Sequence, residues 1–194
     1  MPHQSGEWKA TRESRRRWHE TMSSAYAILW SADRVRDAKR SGFEGMCIPA
    51  LFGGPHTSHP RLSRYHIGPG DSVYPISWRS GKIYVLCRAE IECVLPLAEF
   101  LQREHGTQTW TDAQQLQWLV PTCTDEAALL RMATPVSFSS RIPDGALEDI
   151  QFVNAEGRQR GLGASAVSIQ GHYMRLTEST EALFRAVVDG TLRG

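Results

Sequence analysis

The apolar positions fall into short runs divided by turn-forming residues. Ala25–Trp30 (AYAILW) is an unbroken apolar and aromatic run with the length of a buried strand. Ser31 is placed to cap a helix over Ala32–Arg40, which Ser41-Gly42 would end. That helix would carry Arg34, Arg36, Lys39 and Arg40 on its exposed face. Asp71–Trp78 alternates with a period of two, Arg79-Ser80-Gly81 reads as a turn, and Lys82–Val94 returns as a second strand with a break near Arg88. Pro96 and Gly106 bracket a helix over Leu97–His105. Thr111-Asp112-Ala113-Gln114 has the pattern of a capping box for a helix to Leu119, and Thr124 would cap another to about Met132. Strands are expected over Ser137–Ile142, Ile150–Val153, Ala164–Gln170 and His172–Leu176, then a last helix over Glu178–Val188.

Two stretches lie outside these periodic segments. Residues 1–22 form a basic arm in which Arg15, Arg16 and Arg17 sit between Trp8 and Trp18. Residues 50–70 are rich in Gly, Pro and His and read as a long loop, a feature that often carries function. The order of elements, without regular strand–helix alternation, predicts an α+β fold: a small barrel with peripheral helices. One domain is expected over 23–194, with a helical insertion at about 96–132.

Composition narrows this little. Of 194 residues, 41% are hydrophobic and 22% charged, so the chain has the makings of a packed core. No apolar run is long enough for a membrane span, and the first residues lack the apolar centre of a secretory signal. A soluble, cytoplasmic protein is the expectation. The net charge is +1, but it is unevenly spread. Residues 1–79 hold twelve Lys and Arg against seven Asp and Glu, while residues 80–194 hold ten against fourteen. A basic face near the N-terminus would suit a polyanion. The four cysteines form no CxxC pair, and Cys47 with His56 and His59 lacks an evident fourth ligand. The sequence therefore asks for no metal or cofactor.

Two segments carry a family resemblance. AYAILWSADRVRDAKRSGF, a strand running into a helix, resembles the opening of PUA-like domains of the EVE and YTH type. Ile67–Ile76 and Gly81–Val85 resemble the Gly-Asp turn and hairpin of the same superfamily. Gly70 permits the tight turn, Asp71 can cap it, and Val73 and Ile76 would enter the core. The chain departs from the ASCH branch, whose G-x-K-x-x-E-x-R pattern is replaced here by Asp37-Ala38-Lys39-Arg40-Ser41-Gly42.

The resemblance implies binding of RNA or DNA, with a flipped or modified base in an aromatic-lined pocket as the finer expectation. The candidates are Trp30 and Ser31 at the end of the first strand, Trp78 near the hairpin tip, and His56 and His59 on the long loop. Arg34, Arg61, Arg64 and Arg79, with Arg15, Arg16 and Arg17 of the arm, are the candidate phosphate contacts. Two other readings stand beside this one. A small hydrolase or RNase could draw an acid and a base from His56, His59 and His66 with Asp71, Cys47 and Tyr65. A protein-interaction module could use Leu97, Phe100, Leu101, Trp110, Leu116, Trp118 and Leu119 for docking.

Overall fold

The computed structural model describes residues 23–56, 59–105, 123–154, 157–162 and 171–192. In chain order these form β1 (Ala25–Leu29), α1 (Ala32–Arg40), β2 (Ala50–Gly53), β3 (Ser72–Arg79), β4 (Lys82–Val85), β5 (Ala89–Pro96), α2 (Leu97–His105), β6 (Glu126–Ala133), β7 (Gln151–Val153), β8 (Gln159–Gly161), β9 (Tyr173–Leu176) and α3 (Glu178–Val188). A single-turn 3-10 helix spans Ser63–Tyr65 and another Asp144–Ala146. The class is α+β, as expected. The strands pair in the order β2-β6-β5-β3-β1-β9-β7-β8, with β4 also on β3. The path is open at β2 and β8 among the described residues, so a closed barrel is not confirmed.

The sheet sorts the side chains of β1 by parity. Tyr26, Ile28 and Trp30 enter one core cluster with Val35 and Ala38 of α1, while Ala25 and Ala27 enter a second with Phe184 and Val187 of α3. β1 and β3 are parallel, with Tyr26 opposite Val73 and Leu29 opposite Ile76. The same alternation therefore sends Val73 to the α1 side, and Tyr74 and Ile76 to the α3 side. One sheet with a helix on each face satisfies two apolar stripes at once.

Local signals account for what matched. Ser31 Oγ accepts from Arg34 N at 3.2 Å, and Trp30 and Val35 on either side of the cap are both buried, as in a hydrophobic staple. Asp71 Oδ1 accepts from Ser24 N at 2.7 Å and Oδ2 from Gly68 N at 2.9 Å. The carboxylate thus ties the turn to the start of β1. Ser80 and Gly81, at φ 50° and 75°, make the two-residue hairpin turn between Arg79 and Lys82.

Long-range pairing overturned other expectations. The helix expected from Thr124 to Met132 is instead β6, with Ala127 and Ala128 fully buried between β5 and β2. Helix-forming Ala, Leu and Met yield there to two flanking strands. The stretch 50–70 is not all loop, since β2 pairs with β6 along its whole length. The break expected near Arg88 is present, between Val85 and Ala89, and it leaves Cys87 in the core. Residues 137–142 run along β4 through Val85 N to Ser140 O and Ile142 N to Ile83 O, and only Arg141 forms a bridge. β8 carried no apolar signal. The basic arm, the 111–119 helix and the 164–170 strand lie outside the described residues.

Candidate nucleic-acid interface

The parallel strands β1 and β3 end together. Trp30 N donates to Ile76 O at 2.8 Å, which sets Trp30 beside Ser77. Across the hairpin, Ser77 pairs with Tyr84. Trp30, Ser77 and Tyr84 therefore form a row across three strands, on the face covered by α1. Both aromatic rings carry a guanidinium. Arg34 lies over Trp30 at 4.6 Å from the ring centroid and Arg79 over Tyr84 at 3.7 Å. Arg79 also donates to Phe138 O, and Lys39 of α1 lies over the Phe138 ring at 5.2 Å.

The centre of the row is polar and buried. Ser77 is 2% exposed, and neither its Oγ nor Arg79 Nε has a hydrogen-bond partner among the described residues. An unmade bond at a buried polar atom costs about 1–3 kcal/mol. Arg34 as a residue is half-buried, with its guanidinium enclosed. Burial pulls it down to about 10, and Tyr173 opposes that shift. It is therefore a cation at neutral pH. Lys39 is exposed at the outer end of the same helix.

The other candidates are scattered. Trp78 is half-buried against the second cluster, on the opposite face of the sheet from Trp30. The two indoles do not share a pocket. Trp30 itself is only 2% exposed, a core residue lidded by Arg34 rather than an open wall. Ser31 is exposed and spends its oxygen on the helix cap. Arg61 is exposed and bound through Nε and Nη2 to Asp125, which raises its pKa. Arg64 is exposed on the 63–65 turn. His59 is buried and stacks on exposed His56, with ring centroids 5.1 Å apart. Arg15, Arg16 and Arg17 lie outside the described residues.

The residues of the hydrolase reading also stay apart. Asp71 is committed to backbone amides, and Cys47 Sγ donates to Ala133 O at 3.1 Å. Among the described residues no three His, Cys, Asp or Glu are grouped to hold a metal ion. Phe100 and Leu101 of α2 are buried in the first cluster, so they offer no docking face. Trp110, Leu116, Trp118 and Leu119 are outside the described residues.

Solved structures resemble this arrangement in outline. ASCH from Zymomonas mobilis overlaps it with a TM-score of 0.41 at 15% identity, covering 84% of this chain and 94% of that one. Two single-site mutants of the same protein give 0.42 at 15% and 0.41 at 16%, covering 84% of this chain and 96% and 95% of theirs. The likeness to these ASCH structures is one of outline only. At this overlap the likeness assigns no role to any residue here. No protein-family model and no curated protein matches the sequence.

Sequence reasoning missed Ser77, Tyr84 and Phe138 as members of the site. The first two were within reach, because a two-residue turn at 80–81 places position 77 opposite 84. Phe138 arrives from a distant segment and left no local signal. No helix among the described residues is long and apolar enough to cross a membrane.

Proposed function

We propose that the α1 face binds a strand of RNA or DNA at the carboxyl ends of β1 and β3. One observation carries this reading: two guanidinium–aromatic pairs flank a buried hydroxyl that lacks a partner. Arginine suits phosphate through its fork of donors, and aromatic rings beside cations suit an unstacked base. Arg34 and Arg79 supply the inner positive charge, while Lys39 and Arg64 supply charge at the surface. A base held between Trp30 and Trp78 is not part of the proposal, because the sheet separates them.

The opposite face fits a polyanion poorly. A groove along α3 is lined by Glu178, Glu181 and Asp189 with Arg185, and Arg185 donates to Glu181 at 2.6 Å. Acid predominates there.

Binding of a labelled single-stranded oligonucleotide, titrated with salt, tests the reading. Log affinity should fall with log salt, by about 0.7 for each phosphate neutralised. Arg79→Ala should weaken binding about tenfold or more, since it removes a charge-assisted contact. Salt-independent binding, or an Arg79→Ala protein that binds like the parent, would refute it.

A further inference from the structure

Beside the row lies a group that the proposal above does not use. Tyr65 Oη and His172 Nδ1 are 2.9 Å apart. The Tyr65 ring meets the buried Tyr173 ring edge-on, with centroids 5.5 Å apart, and Tyr173 in turn faces Arg34. Gly171, at φ 80°, turns the chain ahead of β9, and His172 reaches the 63–65 turn. A bonded tyrosine–histidine pair thus sits at the Arg34 end of the basic and aromatic face.

The chemistry of the pair is asymmetric. Burial raises the Tyr65 pKa above its usual value, so the phenol stays a hydroxyl while an imidazole titrates. A hydroxyl can donate to neutral Nδ1 or accept from a protonated Nδ1–H. The bond therefore survives protonation with donor and acceptor exchanged, and the ring keeps its place in both states. His172 is exposed, so its added charge faces solvent.

We propose that His172, held by Tyr65, is a proton-switched cation of the nucleic-acid face, so that binding tightens as pH falls through the imidazole range. This rests on the reading of that face given above. Tyr65 is bonded to His172, Arg64 and His66 flank Tyr65 in the chain, and Tyr173, next along its own strand, interacts with Arg34 of α1. Beyond Tyr173 lies Glu126, whose Oε1 accepts from Ser63 N at 3.1 Å. A bound phosphate would favour the charged imidazole over the neutral one. Strand binding and proton uptake then reinforce one another.

The test uses the full chain with tetramethylrhodamine-labelled oligouridylate and oligothymidylate of about twelve nucleotides, within the range one small domain covers. Neither their bases nor their phosphodiesters titrate where histidine does. At fixed ionic strength, affinity should rise about two- to fivefold between about pH 8 and pH 5.5, the worth of one exposed ion pair. The salt slope should steepen by about 0.7 over the same interval. His172→Gln should abolish both changes. A pH gain that persists in His172→Gln, or a parent protein whose binding is flat with pH, overturns this proposal alone. Absence of binding at every pH and at low salt overturns it together with the reading beneath it.

Discussion

Single side chains do separable jobs. Asp71 holds two backbone amides that would otherwise lose their partners. Asp71→Ala should cost about 1–3 kcal/mol in urea unfolding; a loss under about 0.5 kcal/mol would show that the turn holds itself. Cysteine chemistry should divide by burial. The Cys87 thiol is fully buried, which pushes its pKa up to about 12, whereas Cys47 and Cys123 are exposed. At mildly alkaline pH, iodoacetamide should alkylate Cys47 and Cys123 and spare Cys87 until the chain is unfolded, as peptide mass mapping would show. Labelling of Cys87 in the folded protein would contradict the packing. Legibility at this scale follows distance along the chain. The Ser31 cap and the Asp71 turn are bonds to neighbours in sequence or to one adjacent strand, and the sequence showed both. Arg34 looked solvent-facing by helical spacing, yet Trp30 just before the cap gives its guanidinium a ring to lie on. Phe138 and His172 reach the face only through tertiary contacts.

Elements were legible where local chemistry and burial agreed. β1, α1, the β3–β4 hairpin, α2 and α3 each have a cap, a turn or a bracketing proline, and each formed close to its expected bounds. β6 shows the opposite case. Its Glu-Ala-Ala-Leu-Leu-Arg-Met-Ala sequence prefers a helix, but small alanines let β2 and β5 close in on both sides. The adjoining backbone is equally tight. A Cβ on Gly54 would lie 2.2 Å from Cys123 O, whereas one on Gly68 would meet nothing within 4 Å. Gly54→Ala should therefore destabilise the fold by about 1–3 kcal/mol, and Gly68→Ala should stay within about 0.5 kcal/mol of the parent. Thermal or urea melts of the two variants would check this; equal stability would mean that the strand ends can shift apart.

On the scale of the molecule, one sheet divides two chemically unlike faces. The α1 side ends in cations laid on aromatic rings, and the α3 side carries a mainly acidic groove. The excess of basic residues in the first part of the chain hinted at such a division, but not at which face would hold it. That depended on the parity of β1 and β3, which also separated Trp30 from Trp78. Charge reversal on each face tests the division most directly. In oligonucleotide binding at low salt, Lys39→Glu should weaken affinity about tenfold and flatten the salt slope, while Arg185→Glu on α3 should leave both within about twofold of the parent. Equal losses from the two variants, or a loss confined to Arg185→Glu, would contradict a nucleic-acid site on the α1 face.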